Sequence, residues 1–367
     1  MFIIKKTVSF YTIKFLTLLD LICSKLPKYK RFRPLRGSFQ AQSLLKNHSI
    51  EGEFLHETLP TINVPSYSVC KKAGIHQEKN NPSSIFWVRT NDACLVGKTL
   101  RWRNHRDEVC FEGDFGQFDR LVISDGGVFS QSYLNDPIML EGCWTSITSN
   151  WSRGDNYYHW MLDSLTRLLV REKLPENAKI LLPNCIHNFV KETIELIGLD
   201  DEVTWIKPGS YICENYYFCP PLAPTGYYNP LGYDWLTNKF SSYFEPPDRT
   251  FKVFLTRRNT VRLPKNIKEI EAILASHGFN IIDAGEHTVL EQIKLISKST
   301  VVVGLHGAAM TNLLWASPNI KVLELFESKY YNACYELIAI HRRQNYNFLT
   351  VDNCQFNSQL DSWLSYL

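Results

Sequence analysis

The stretch VVVGLHGAAMTN, residues 301–312, decides the fold of this chain. A run of valines is typical of a short strand, and glycines then lead into small residues that can open a helix. Where a strand turns through glycines into a helix, the first backbone N–H groups of the helix have no partner within it, and anions bind there. The stretch therefore predicts an anion-binding turn, provided that strands and helices alternate around it.

Strand-like and helix-like segments do alternate around this turn. Apolar runs predict strands at 251–256, 280–283, 300–303, 322–326 and 348–351, and helical patterns predict helices at 266–276, 288–298, 308–316 and 331–342. Continuous apolar strands are expected where helices cover both faces of a parallel sheet. Residues 249–352 are therefore predicted to form a doubly wound α/β domain, with 353–367 as a helix that packs back.

The preceding part of the chain has a different pattern. Apolar and polar residues alternate between turn signals from 85 to 124, which predicts strands, and the period becomes helical over 156–174. The sequence Glu-Pro-Pro-Asp at 245–248 is typical of a linker. Residues 37–245 are therefore predicted to form a separate domain with a β-rich lead-in.

Composition narrows the class of protein. Forty basic and 37 acidic residues leave a net charge of +3, which does not favour nucleic-acid binding. The ten cysteines form no C-x-x-C pair, so they indicate reduced thiols of a cytosolic protein rather than a zinc site.

Residues 1–36 combine an apolar-rich stretch with a basic run. A signal peptide has a clean apolar core and a cleavage site of small residues. This segment has neither, so a signal peptide is not expected. Two hypotheses remain: a helix held at the surface of an anionic membrane by its basic tail, or a helix packed on the body of the protein.

Two segments carry candidate phosphate and ribose ligands. Arg257 and Arg262 follow the strand at 251–256, where strand ends face the ligand crevice of such sheets, and arginine pairs bidentately with phosphate. A solvated surface turn is the alternative. Glu324, embedded in an apolar strand, could accept two ribose hydroxyls, or could lie on an exposed edge or pair with a basic residue.

A third segment carries candidate catalytic residues. His159, Asp163 and Arg167 recur at intervals of four, so they are predicted to share one helical face, apart from an apolar stripe. A histidine or carboxylate that faces a cleft can act as a general base for a hydroxyl group. A pair on the helix surface is the alternative.

Some phosphate-binding patterns are absent from the sequence. There is no Asp-x-Asp, no G-x-G-x-x-G after a strand and no G-x-x-x-x-G-K-[ST]. Neutralisation of phosphate by arginine and a helix start is therefore expected in place of a metal.

Taken together, N-Y-Y-H-W-M-L-D-S-L-T-R (156–167), L-T-R-R-N-T-V-R-L-P-K-N (255–266), E-Q-I-K-L-I-S-K-S-T-V-V-V-G-L-H-G-A-A-M-T-N-L-L (291–314) and V-L-E-L (322–325) resemble glycosyltransferase family 61. The resemblance implies a GT-B architecture, with two Rossmann-like domains facing across a cleft. It also implies inverting, metal-independent transfer from a nucleotide sugar, UDP-linked by family habit. No cofactor is implied.

The resemblance also implies roles for individual residues. The nucleotide-sugar side would comprise Arg257, Arg262, Gly304, His306, Gly307, Ala308, Asn312 and Glu324. Asp163 and His159 would act together as the base, with Asp163 the preferred single candidate, and Asn156, Tyr158 and Arg167 would lie on the acceptor side.

The predicted partners are a nucleotide sugar and a glycan or lipid-linked acceptor. Synthesis of capsule or another surface polysaccharide would place the protein in the cytoplasm or at the inner face of the membrane, in peripheral contact through residues 1–36. The alternatives are a non-catalytic nucleotide-sugar-binding protein that keeps the same fold and a protein O-glycosyltransferase.

Overall fold

The computed structural model describes residues 37–56, 69, 84–97, 100–104, 108–110, 112, 137–148, 156–184, 187–207, 209–227, 229–258 and 263–367. The segment 1–36 and Arg262, both named above, lie outside these residues, so the predictions made for them stay predictions.

The first of two sheets is built from the amino-terminal half of the chain. Its strands are β1 (Gly37–Phe39), β2 (Glu51–His56), β3 (Ile85–Gly97), β4 (Arg101–Arg103), β5 (Glu108–Cys110), β6 (Ile138–Thr145), β7 (Lys179–Pro183), β8 (Val203–Ile206) and β9 (Gly209–Phe218). They follow the order β1-β5-β4-β3-β9-β6-β7-β8, with β2 also paired to β3.

This sheet is mixed rather than fully parallel. Strand β3 pairs antiparallel with β2, β4 and β9, whereas β9, β6, β7 and β8 pair parallel with one another in turn. The expectation of a doubly wound amino-terminal domain therefore holds for the parallel part alone. The long strand β3 supplies the antiparallel part, in agreement with the alternating pattern that starts at residue 85.

The longer helices of this half accompany the sheet. They are α1 (Ala41–Lys46), a composite helix α2, α3 (Asn188–Leu196) and α4 (Pro230–Phe240). Helix α2 was predicted as one regular helix over 156–174, but it consists of an α-turn (Tyr157–His159), a π-turn (Trp160–Ser164) and a 3₁₀ segment (Leu165–Lys173). The π-turn contains Asp163, and π-turns inside helices are frequent at functional sites.

The second sheet is fully parallel. Its strands are β10 (Lys252–Thr256), β11 (Phe279–Asp283), β12 (Val301–Leu305), β13 (Lys321–Phe326) and β14 (Asn345–Thr350), in the order β11-β10-β12-β13-β14. The order reverses between β10 and β12, which is the switch point where ligands bind in doubly wound sheets.

Helices cover both faces of this sheet. They are α5 (Ile267–Ser276), α6 (Val289–Ser297), the 3₁₀ helix α7 (Ala308–Leu314), α8 (Cys334–His341) and α9 (Phe356–Leu364). Alternate strand residues pack against α5 and α9 on one face and against α6 and α8 on the other. The predicted doubly wound domain is thus present. Helix α6 begins with the predicted capping box of Thr288 and Glu291.

One hydrophobic core joins the two halves. Buried residues of α2, α3 and α4 belong to the same cluster as those on the α6 and α8 face of the second sheet. The segment 245–248 is exposed and irregular, as a linker should be, but Glu245 N and Asp248 N donate to Ser297 Oγ and Lys298 O at the end of α6. The predicted domain limits and the GT-B arrangement therefore remain predictions.

Two further observations bear on the sequence analysis. Within the described part of the chain, no helix is long and apolar enough to span a bilayer. The cysteines in the same part are free thiols, and several of them are buried.

Gly304 in β12 is required by close packing. A Cβ added there would lie 2.1 Å from Sδ of Met310, which is fully buried in α7. We therefore expect Gly304→Ala to lower the free energy of unfolding by about 1–3 kcal/mol, because overpacking strains a filled core. Urea denaturation of a double-mutant cycle with Met310→Ala measures the contact. An equal penalty of Gly304→Ala in both backgrounds contradicts this explanation.

Candidate active site

A cavity of about 740 Å³ lies beyond the carboxyl ends of three parallel strands. Thr256, Asp283 and Leu305, the last residues of β10, β11 and β12, all line it. The amino-terminal half contributes Tyr157 of α2 and the start of α3. The cavity therefore lies at the switch point of the second sheet and between the two halves of the chain, and its volume is in the range of small-molecule sites.

Arg257 provides positive charge in this cavity. It follows β10 directly, and its Nη1 would lie only 2.9 Å from a Cβ added to Gly307. The absence of a side chain at Gly307 thus lets the guanidinium lie against the backbone after β12. Arg257, Gly307, Ala308 and Ala309 all line the cavity, as expected for an anion site.

Helix α7 contributes less to anion binding than the sequence suggested. A helix was expected over 308–316, whereas α7 is a 3₁₀ helix of seven residues, Ala308–Leu314. Because such a short helix has a small dipole, Arg257 is the main source of positive charge after the switch point.

Asn312 lies in the core rather than in the cavity. Its side chain is fully buried, and its Oδ1 accepts hydrogen bonds from Tyr157 Oη (3.1 Å) and Trp315 Nε1 (2.9 Å). Its Nδ2 donates to Gln292 Oε1 (2.8 Å) and Ala309 O (3.0 Å). All four hydrogen-bonding positions of the amide are therefore used, and Asn312 positions other residues instead of contacting a nucleotide.

Glu324 likewise lies in the core and does not line the cavity. Its side chain has no exposed surface, and Oε1 lies 2.5 Å from His306 Nδ1 while Oε2 accepts from Tyr346 Oη at 2.5 Å. Burial raises the pKa of Glu324 above its ordinary value, although the hydrogen bonds from His306 and Tyr346 lower it. Glu324 therefore orients His306, and the expected contact with ribose does not fit its position.

His159 and Asp163 form a hydrogen-bonded pair. Nδ1 of His159 lies 2.7 Å from Oδ2 of Asp163, and Thr225 Oγ1 donates to the same Oδ2 at 2.9 Å. The imidazole is 19% exposed and the carboxyl only 4%. Burial raises the pKa of Asp163, and hydrogen bonds from His159 and Thr225 oppose that rise. A carboxylate on Nδ1 favours the tautomer in which Nδ1 carries the proton and Nε2 carries a lone pair.

The three acceptor-side candidates have structural contacts. Asn156 caps α2 by accepting a hydrogen bond from His159 N. Arg167, 2% exposed, donates to Cys219 O and Thr148 O and does not share a face with the His159 pair. The π-turn ends at Ser164 and the 3₁₀ segment begins at Leu165, so the helical phase changes between Asp163 and Arg167 and the predicted interval of four fails there.

Packed rings connect the His159 pair to the second sheet. The ring of Tyr158 contacts His159 and Tyr335 edge to face, with centroids 5.3 and 5.7 Å away. Tyr335 in turn lies 5.2 Å from His306, the chain neighbour of Gly307. The two His–carboxylate pairs thus lie on opposite sides of one aromatic contact between the halves.

In the ranges that the structure describes, no three His, Cys, Asp or Glu side chains come together as metal ligands. Metal independence itself stays a prediction.

Comparison with known proteins gives the family. Residues 157–323 match the family model described as Glycosyltransferase 61. The chain carries a glycosyltransferase 61 domain. The matched region contains the His159 pair, Arg257 and the switch-point turn, so the resemblance seen in the sequence is confirmed.

Two curated proteins are similar to parts of this chain. Beta-1,2-xylosyltransferase RCN11 of Oryza sativa subsp. japonica is 36% identical over 61 residues, which cover 17% of this chain and 11% of the relative. Beta-1,2-xylosyltransferase of Arabidopsis thaliana is 26% identical over 82 residues, 22% of this chain and 15% of the relative. The matches span about a tenth to a seventh of the relatives' lengths.

Within the glycosyltransferase 61 domain, sequence reasoning missed Thr225 and the start of α3. Thr225 lies in a Pro- and Gly-containing turn that gives no catalytic signal. His187 and Phe189, which line the cavity, have no motif of their own. Asp283 could have been found, because an acidic residue at the end of the second strand of a nucleotide-binding sheet is a known ribose signal.

The buried pair of Glu324 and His306 predicts how stability depends on pH. Because the folded-state pKa of Glu324 is raised, its contribution to stability is fully present below the pKa of the unfolded chain and is lost as pH rises through the folded-state value. Glutamine keeps the shape but does not titrate. The stability of wild type relative to Glu324→Gln should therefore fall as pH increases from about 4, the usual glutamate range, to 8. Urea denaturation across this range measures it, and a difference that grows with pH contradicts the prediction.

Proposed function

We propose that this protein is an inverting glycosyltransferase that moves a sugar from a UDP-sugar to a hydroxyl group of a glycan acceptor. One observation carries the proposal: the His159–Asp163–Thr225 arrangement is joined by packed rings to a switch-point cavity that holds Arg257. A base on one side and an anion site on the other are what a single displacement at a sugar carbon needs.

The base in this proposal is His159. Its Nε2 takes the proton of the acceptor hydroxyl while the oxygen attacks the anomeric carbon. Asp163 was preferred on sequence grounds, but it is almost fully buried and its Oδ2 already accepts two hydrogen bonds. Asp163 therefore stabilises the imidazolium that forms on His159, and Thr225 helps to keep that carboxyl ionised.

The leaving group in this proposal is a nucleoside diphosphate. As the new glycosidic bond forms, the bond between the anomeric carbon and the phosphate oxygen breaks, and negative charge develops on the diphosphate. Arg257 neutralises that charge. Because one displacement occurs without a covalent intermediate, the configuration of the anomeric carbon is inverted. Metal independence is part of the proposal, supported by the position of Arg257.

The donor sugar and the acceptor belong to the same proposal. Both relatives are named beta-1,2-xylosyltransferases, so a UDP-pentose is tested beside UDP-hexoses. A lipid-linked or surface polysaccharide acceptor, and a location at the cytoplasmic face of a membrane through residues 1–36, remain the hypotheses suggested by the basic amino-terminal sequence.

Loss of His159 should abolish turnover without unfolding the protein. We expect His159→Gln to lower kcat by about 10²–10⁴-fold, because general-base catalysis contributes that much. The matched control is His341→Gln, which also removes a His–Asp pair (Nε2 to Asp234 Oδ1, 2.9 Å), but one whose carboxylate is exposed and that has no part in the proposed reaction. Release of UDP from a panel of UDP-sugars and glycan acceptors is the measurement. Equal activity of both variants contradicts the assignment of His159 as the base, whereas no UDP release by wild type favours a nucleotide-sugar-binding protein without turnover.

Loss of Arg257 should abolish binding of the diphosphate. We expect UDP at about 100-fold excess over its Kd to raise the Tm of wild type by several degrees, since ligand binding of that occupancy stabilises by about 2.7 kcal/mol. Arg257→Ala should lose this shift, and EDTA should not change it. Arg258→Ala, which removes an exposed arginine paired with Glu271, is the control. A shift that persists in Arg257→Ala or disappears with EDTA contradicts the proposed donor site.

A further inference from the structure

Because the Glu324 carboxylate is held by His306 and Tyr346, it does not serve as a partner for the donor ribose. Ribose hydroxyls are usually held by an acidic side chain in nucleotide-binding sheets. Glu324 is fully buried, and both of its oxygens are occupied by His306 and Tyr346. The partner must therefore be found among carboxylates that reach the cavity.

Asp283 meets this requirement. It is the last residue of β11 and lines the cavity, half-buried, beside the turn that leads to α6. Its Oδ1 accepts a hydrogen bond from Gly285 N at 3.0 Å, which fixes the orientation of the side chain. No hydrogen bond joins Oδ2 to another residue that the structure describes. One carboxylate oxygen is thus held in place while the other can accept from a ligand.

The order of the strands places Asp283 at the right end of the cavity. Gly307 follows β12, Arg257 follows β10 and Asp283 ends β11, and these strands are consecutive neighbours in the sheet. Because neighbouring strands lie about 4.8 Å apart, the path from Gly307 to Asp283 is about 10 Å. A nucleoside diphosphate extends over a comparable distance from its β-phosphate to its ribose.

Aromatic rings line the same cavity on the side of the amino-terminal half. The rings of His187 and Phe189 are stacked, with centroids 5.5 Å apart and planes 15° apart, and Tyr157 meets Phe189 edge to face. Such rings are suited to contact a nucleobase. They line the same cavity as Asp283, so one nucleoside can meet both the carboxylate and the rings.

We propose that Asp283 holds the ribose hydroxyls of the donor nucleotide and that His187 and Phe189 form the wall against which its base lies. This inference rests on the proposed function, because it names the residues that select the nucleoside part of the proposed donor. In this proposal, Asp283 alone recognises the ribose 2′-hydroxyl.

Isothermal titration with paired ligands tests the inference. The probes are UDP, GDP and CMP, the 2′-deoxy form of each, and inorganic pyrophosphate. Wild type should bind the preferred ribonucleotide about tenfold tighter than its 2′-deoxy form, since a charge-assisted hydrogen bond is lost. In Asp283→Ser, whose hydroxyl can still accept from Gly285 N, that preference should fall to about one while pyrophosphate binds unchanged.

A second carboxylate of the cavity provides a matched control. Glu286 lies three residues further along the chain, so Glu286→Gln also removes one negative charge from the cavity. Removal of negative charge alone should tighten, not weaken, the binding of an anionic nucleotide. Weaker binding in Asp283→Ser together with equal or tighter binding in Glu286→Gln therefore identifies a lost hydrogen bond.

The outcomes separate this inference from the proposed function. If wild type binds the ribo and 2′-deoxy forms equally, or if Asp283→Ser keeps the preference, the inference is wrong and the donor site at Arg257 stands. If neither a nucleotide nor pyrophosphate binds wild type, the proposed function fails and the inference with it. If Asp283→Ser also loses pyrophosphate binding, Asp283→Asn is used instead, because its side-chain oxygen can still accept from Gly285 N. The ratio of ribonucleotide to 2′-deoxynucleotide affinity in that variant then tests the inference.

Discussion

The buried side-chain amide of Asn312 holds together the parts of the chain that form the cavity. Through it, Tyr157 of α2, Gln292 of α6 and Trp315 after α7 share one hydrogen-bonded centre, and two of these side chains, Tyr157 and Gln292, line the cavity themselves. A buried amide with all its hydrogen bonds made is stable only when each partner stays in place. The position of the first turn of α2, which carries His159, relative to the turn after β12 is therefore fixed by this centre.

Two His–carboxylate pairs of similar geometry differ in what surrounds them. His159 keeps 19% of its side chain exposed, whereas His306 has 10% and stacks on Phe326 with ring centroids 4.7 Å apart. Both carboxyls are buried and carry raised pKa values, and each accepts a second hydrogen bond, from Thr225 or from Tyr346. The more open pair is suited to proton transfer with a substrate, and the closed pair to holding the turn at Gly307 in shape.

The second sheet could be predicted almost completely from the sequence, and the first could not. Strands β10, β12 and β13 are continuous apolar runs, and helical patterns separate the strands of this sheet, so the alternation of strand and helix is encoded locally. The first sheet depends on pairings between β3 and β9, which are more than 100 residues apart, and no local pattern specifies such pairings. The same limit explains α2, because its π-turn is set by packing and not by the spacing of apolar residues.

The residues of the candidate site also differ in how far the sequence could predict their positions. Arg257, Gly307 and Ala308 line the cavity, and this location follows from strand order. Glu324 and Asn312 were expected to contact the nucleotide, but residue type alone does not distinguish a ligand contact from a buried polar group with internal partners. Thr225 approaches Asp163 across 62 residues of sequence, and only the folded chain reveals that contact.

A crystal structure of the complex with UDP tests the central claim most directly, namely that both halves of the chain form one catalytic cavity at the switch point. The diphosphate is predicted to lie against Arg257 and Gly307, with the uracil among the rings at the start of α3 and its β-phosphate directed toward the side of His159. UDP bound away from the carboxyl ends of β10 and β12, or bound with no contact to the amino-terminal half, would contradict the claim.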